Sequence, residues 1–240
     1  MDYQFYIDVV ESLDLSEDER FVYHVMQNLG FLPHCIRLVI LDYKESHRHW
    51  HTVVHIRQML SLLDQHRSVC PNWRESQVLI IYHDLIYNVQ CTLGATRLKL
   101  FNERCSAAVM KNHVITSGIA GFTEEVVDVM VSALLLSGHF PEECQETGTN
   151  TYRHALFLHD LDYAIFANDL GQYDEYSMNI AQEYMRHARI TPFEFEEGRL
   201  EFLRDLQRRG VYKMRYFFDL WEEKALANID REIKRLTWTK

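Results

Sequence analysis

Apolar positions recur along this chain at the three- and four-residue spacing of helices, with few interruptions. Ser16-Glu17-Asp18-Glu19 reads as a capping box ahead of an amphipathic stretch over residues 20–29, and Gly30 is placed to end it. The same period runs over residues 35–43 and 51–63. Residues 73–88 are apolar nearly all round, as a central buried helix would be. Gly94 breaks the pattern, after which residues 102–113 and 123–136 read as helices. Thr123 is a natural N-cap, with Glu124 and Glu125 at the positive helix end. Residues 141–150 are polar, carry Gly148 and read as a loop. Helical spacing resumes over residues 151–167, 172–188, 192–209 and 211–236, and Thr191-Pro192 fits a cap followed by proline at the first helical position.

Nine glycines and four prolines among 240 residues leave too little turn punctuation for a many-stranded β fold. With no internal repeat or linker, the chain reads as one all-α domain over residues 1–240. A formal charge of −10 argues against a large nucleic-acid partner, because a phosphate backbone needs a basic face. Five cysteines (Cys35, Cys70, Cys91, Cys105, Cys144) are an odd number without regular spacing and fit reduced thiols. The N-terminus lacks a signal-peptide pattern, and no apolar run approaches a membrane span. The expectation is a soluble cytoplasmic protein. Its aromatic-rich end, residues 212–221, reads as core or as a dimer face, which leaves a homo-oligomer open.

Charged groups within the apolar pattern change the picture. His83 and Asp84 stand together in the run Val78-Leu79-Ile80-Ile81-Tyr82-His83-Asp84-Leu85-Ile86-Tyr87. Burying both is costly unless something pairs with them, and a divalent metal is the strongest partner for an imidazole and a carboxylate. Upstream, Arg48-His49-Trp50-His51-Thr52-Val53-Val54-His55-Ile56 places His51 and His55 at i,i+4, on one face of a helix joined by Arg48. Downstream, Asp160 and Asp162 lie inside another apolar helical run. On a helix they are roughly 200° apart, so both can hardly meet one ion. Such an N/O set suits Mn, Fe, Co, Zn or Mg, as one ion or two.

His55, then His83-Asp84, then a distant aspartate resembles the H…HD…D order of the HD-domain superfamily of metal-dependent phosphohydrolases. The resemblance is closest to the branch with an R-x-Y-H-N-x-x-H-I motif. Its F-H-D-x-I-Y element is similar to Tyr82-His83-Asp84-Leu85-Ile86-Tyr87, its D-N-E-x-x-S-A element to Phe101-Asn102-Glu103-Arg104-Cys105-Ser106-Ala107, and its D-x-D-L element to Asp160-Leu161-Asp162-Tyr163. Tyr173, Tyr176, Glu183-Tyr184 and Gly198-Arg199 resemble its C-terminal pattern, so the motif-bearing core spans about residues 43–212, with a C-terminal helix over 213–240. Thr52 and Phe101 depart from the pattern, and Leu136 stands where a threonine precedes the T-x-x-H histidine, here His139.

The resemblance implies an HD-type helical bundle with additional C-terminal helices and His55, His83, Asp84 and Asp162 as metal ligands. It favours Asp162 over Asp160. By likeness to phosphodiesterases with a Y-H-N-x-x-H motif, it gives His51 the proton donated to the leaving group. Glu103 is the next candidate, as an acid, a base or an outer-shell carboxylate, and Asp84 would bridge to a second ion or orient the attacking water. Arg48 and His139 are the candidate substrate-binding residues, and His113 with His139 the candidate ligands of a second ion. The implied function is hydrolysis of a small phosphorylated metabolite, a nucleotide foremost, by metal-activated water. An HD-type diiron oxygenase and a non-catalytic nucleotide-binding HD protein are the alternatives.

Overall fold

The computed structural model describes residues 14–89, 95–138, 148–188 and 190–238. Among them it is helical throughout, with ten α-helices and no strand. In chain order these are α1 (Glu17–Leu29), α2 (Pro33–Asp42), α3 (Val53–Gln65), α4 (Trp73–Tyr82), α5 (Ala95–Ser117), α6 (Glu124–Ser137), α7 (Asn150–Asp162), α8 (Leu170–His187), α9 (Pro192–Arg209) and α10 (Arg215–Trp238). Short 3-10 turns follow α3 and α7. No helix among the described residues is long and apolar enough to cross a membrane.

The caps form as the residue types dictate. Ser16 and Glu19 exchange reciprocal bonds at the start of α1, and Gly30 closes that helix in the left-handed region at φ 100°. Thr123 caps α6, and Thr191 with Glu194 makes a second capping box on α9. Helix α4 is the centre of the bundle, packed against α1, α3, α5, α6 and α7. Val78, Leu79, Ile80, Ile81 and Tyr82 are each no more than 1% exposed, so every side of its last turn is buried. Each such side chain contributes about 1.5–3 kcal/mol of burial.

Helix α5 spans Ala95–Ser117 and is longer at both ends than the expected 102–113, and three further elements differ from the periodic pattern in ways that bear on the site. Helix α4 stops at Tyr82 rather than running on to residue 88. The Leu85 N–H turns back to the Tyr82 carbonyl at 3.3 Å, while the carbonyls of Asp84 and Leu85 accept from the Arg48 guanidinium. His83 and Asp84 therefore sit in a turn at a helix end, not inside a helix. Helix α3 begins at Val53, which leaves His51 and Arg48 in the preceding loop rather than on a shared helix face. The expected helix over residues 151–167 ends at Asp162 and tightens into a 3-10 turn over Tyr163–Ala167. Most of the expected loop over residues 141–150 lies outside the described residues.

The C-terminal helices are locked by a closed polar network. Glu232 of α10 pairs with Arg199 of α9 through both carboxylate oxygens, each 3.1 Å from a guanidinium nitrogen. The same carboxylate accepts from Ser177 at 2.7 Å and from Tyr173, both on α8. Glu222 accepts the Val211 and Tyr212 N–H groups ahead of α10.

Candidate metal centre

Four side chains converge where three helix ends meet. His55 comes from the first turn of α3, His83 from the C-cap of α4, Asp84 from the next residue, and Asp162 from the last residue of α7. One potential ligand atom from each lies within 4.8 Å of the others, and theirs is the group among the described residues that can hold an ion. His55 and His83 are buried, whereas Asp84 and Asp162 keep 24% and 31% of their side-chain surface exposed, so the cluster opens to solvent through its carboxylates.

The donor set fits a divalent cation. His55 Nε2 lies 3.1 Å from Asp162 Oδ1, and His83 Nε2 lies 2.9 Å from Asp84 Oδ2. Neither buried nitrogen has an aligned hydrogen bond, an arrangement expected of lone pairs aimed at a common point. His83 Nδ1 donates to the Ile80 carbonyl at 2.8 Å, which leaves Nε2 as the lone-pair nitrogen facing the cluster. Trp50 packs on the His55 ring at 5.2 Å and limits its rotation.

Electrostatics point the same way. Burial alone would raise both aspartates. Instead the imidazoles of His83 and His51 hold the Asp84 carboxyl below its ordinary range, and those of His55 and His83 do the same for Asp162. Burial pushes His55 down. For His83 the same penalty is outweighed by Asp84 and Asp162, which raise it well above its usual value. The two carboxylates thus favour positive charge between them, which a divalent ion would supply on displacing the imidazole proton. The C-terminal ends of α4 and α7 add partial negative charge, offset in part by the N-terminal end of α3.

His51 stands beside the cluster, its Nε2 3.8 Å from Asp84 Oδ2. Its placement depends on Glu183 of α8, a residue whose role the motifs do not disclose. Glu183 Oε1 accepts the N–H groups of His49, Trp50 and His51 at 2.7, 2.7 and 3.0 Å. Its Oε2 accepts from His51 Nδ1 at 2.7 Å and from the Tyr87 hydroxyl at 2.9 Å. These bonds keep His51 off α3 and aim Nε2 at the site. Burial would raise Glu183, but His51 and the backbone donors bring it to about 2. In return, Glu183 and then Asp84 raise His51 against the cost of its own desolvation. The signal in the sequence is positional: Glu183 falls on the buried stripe of Tyr173, Tyr176, Ser177 and Ile180 along α8.

The other candidates divide. Glu103 of α5 is buried, and desolvation first, with Asp84 adding to it, pushes its carboxyl up to about 7. It packs so tightly on Gly138 that a Cβ there would lie 1.7 Å from Oε1. Its neighbours in the same motif grip the segment after Asp84: Ser106 Oγ accepts the Ile86 N–H, and the Asn102 amide donates to the Asn88 carbonyl. Asp162 joins the cluster, whereas Asp160 turns the other way and accepts the Lys213 and Met214 N–H groups at 2.8 and 2.7 Å, capping the approach to α10.

Two expectations are corrected. Arg48 is buried, and its guanidinium binds Glu45 and the carbonyls of His51, Asp84 and Leu85 at 2.6–3.1 Å, between the rings of Tyr43 and Tyr87. All three of its nitrogens are engaged with the protein, so it holds the loop and the turn together instead of facing a substrate. His113 is not part of the cluster; its Nδ1 pairs with the Tyr82 hydroxyl at 2.9 Å. It lines a shallow cleft with Leu38, Asp42 and Val109, and none of the four ligand candidates lines that cleft. His139 lies outside the described residues.

Comparison with protein-family models, with curated proteins and with solved structures finds no match for this chain.

Proposed function

We propose that this protein is a metal-dependent phosphohydrolase of the HD type, acting on a small phosphorylated metabolite, a nucleotide foremost. The observation that carries the reading is the convergence of His55, His83, Asp84 and Asp162 with two buried imidazole nitrogens left without aligned partners. The H…HD…D order of these residues supports the family assignment. A divalent ion held by the four would supply charge neutralisation and an acidified water near neutral pH.

The protein's own groups do the rest. Glu183 fixes the His51 tautomer by accepting the hydrogen bond of Nδ1–H, so any proton exchanged with the substrate passes through Nε2. Because Glu183 also stabilises the imidazolium, His51 stays protonated further up the pH scale and can deliver that proton to the leaving oxygen. Asp84, between His83 and His51, is placed to orient a water by accepting its hydrogen bond. Glu103, near 7, can exchange a proton at neutral pH. A diiron oxygenase would need a second set of ligands. His113 is committed to Tyr82, and no other group of ligands converges among the described residues.

The test is a phosphate-release screen over nucleotides and other phosphoesters with Mn²⁺, comparing the native chain with Asp84→Ala. Release by the native protein and none by the variant is the expected result. Ion binding with no phosphoester cleaved would overturn the hydrolase reading.

A further inference from the structure

Two of the ligand-bearing helices, α4 and α7, meet through polar groups at both ends. At the metal end, His83 Nε2 lies 3.6 Å from Asp162 Oδ1. Near the opposite end, His154 of α7 pairs through Nε2 with Glu75 Oε2 of α4 at 2.8 Å. Glu75 precedes His83 by eight residues, and His154 precedes Asp162 by the same eight. Both ligands keep right-handed helical backbone angles, φ −60° and ψ −38° at His83, φ −63° and ψ −40° at Asp162. Each spacing is therefore about 12 Å of helix rise. The two helices run in the same direction at matched height, and the two pairs are rungs at either end of one frame.

The far rung lies inside the bundle. His154 is 2% exposed, and the Glu75 side chain keeps only 16% of its surface. A carboxylate only accepts, so His154 Nε2 carries the hydrogen, and its buried Nδ1 finds no partner among the described residues. An apolar side chain would fill the place without that unmet nitrogen. What it would lack is direction. The other buried side chains of these helices are mostly apolar, Val78, Leu79, Ala155 and Leu158 among them, and apolar contacts tolerate sliding along the axis. A 2.8 Å hydrogen bond does not.

We infer that Glu75 and His154 are positioning residues of the metal centre: their hydrogen bond fixes the height of α4 against α7 and thereby the separation of His83 from Asp162. The assignment rests on the metal-binding reading of the cluster and is independent of the reaction carried out there. It extends the centre to two residues that the motifs leave out. The ordinary alternative is a buried histidine that adds stability alone, which would leave the geometry around a bound ion untouched.

Titration with Co²⁺, followed by visible absorption, reads affinity and ligand geometry together. The native chain should bind Co²⁺. Glu75→Met keeps the stem and removes the acceptor; its affinity should fall about tenfold, the low end of the cost of losing support behind a metal ligand, and its absorption bands should shift. Glu75→Gln keeps an acceptor for Nε2–H and should restore both. The double variant Glu75→Met with His154→Leu replaces the pair by apolar groups, which spares the fold the unpaired imidazole while leaving the height of the helices unfixed. Its affinity should stay low and its bands shifted. Glu232→Ala, far from α4 and α7 in the chain, controls for lost stability alone and should keep the native bands. Native affinity and bands in the double variant overturn the assignment and leave the metal centre standing, as does failure of Glu75→Gln to restore them or an equal change in folded Glu232→Ala. A native chain that binds no Co²⁺ overturns the metal centre and the assignment with it.

Discussion

Two buried polar assemblies in this molecule contain similar groups and finish them differently. Around Glu232, the carboxylate meets Arg199, Tyr173 and Ser177, so both of its oxygens have donors. Around Asp162, two imidazole nitrogens crowd two carboxylates without aligned hydrogen bonds. The first is closed and rigidifies the packing of α8, α9 and α10. The second is left incomplete by protein atoms alone, and incompleteness in a buried place is costly unless a ligand completes it. Polar burial by itself therefore does not mark a candidate site; unpartnered nitrogens that converge with two carboxylates do.

The largest expected effect tests the unfinished assembly. Asp162→Ala should lose its bound ion by elemental analysis and lower phosphoester turnover by about 10⁴-fold, roughly 5–6 kcal/mol. A full complement of ion in that variant would break the comparison. Next comes the closed network. Glu232→Ala leaves Arg199 buried and unpaired and should cost about 3–5 kcal/mol in denaturant unfolding, with ion content per folded chain unchanged.

Glu183→Gln falls between the two assemblies, because Glu183 is closed on its backbone side and faces the open site through His51. Its turnover should drop about 10²-fold, near 3 kcal/mol, and the alkaline limb of kcat/KM should move to lower pH as His51 loses the carboxylate that raises it. A fall in turnover with an unmoved limb would reduce Glu183 to a scaffold. The native protein carries the matching signature in acid. Glu183 is depressed to about 2, so its stabilisation, on the order of 3 kcal/mol, is complete above the unfolded value near about 4.3 and is lost as pH falls from there toward 2. Acid titration of native and Glu183→Gln stability should differ in that window. The smallest effect is at His113. His113→Ala should cost about 1 kcal/mol for its bond to Tyr82 and leave the number of bound ions unchanged.

Much of the fold was legible because it is written locally. The caps at Ser16, Thr123 and Thr191 and the apolar stripes need only near neighbours in the chain, and they form where the residue types place them. The cluster was legible through motif order, which also favoured Asp162 over Asp160; the apolar run around them could not separate two aspartates on one helix. Hidden from the sequence were features decided by distant partners. Tyr82 ends α4 because a guanidinium from the preceding loop takes the next carbonyls, and His51 leaves α3 because a carboxylate 132 residues away takes three N–H groups. Arg48 shows the limit best: its residue type suits a phosphate, and only the folded chain reveals that each of its three nitrogens already binds a protein acceptor.

That guanidinium has a consequence for the entropy of ion capture. By joining the carbonyls of His51, Asp84 and Leu85 through one rigid plane, Arg48 makes the loop before α3 and the turn after α4 a single piece. The rotational freedom of that backbone is surrendered when the chain folds, not when an ion arrives. Binding then carries little ordering cost, in contrast to small metal domains whose chains take shape only around their ion. Hydrogen-exchange protection at Leu85 and Ile86 should accordingly be the same with and without the metal.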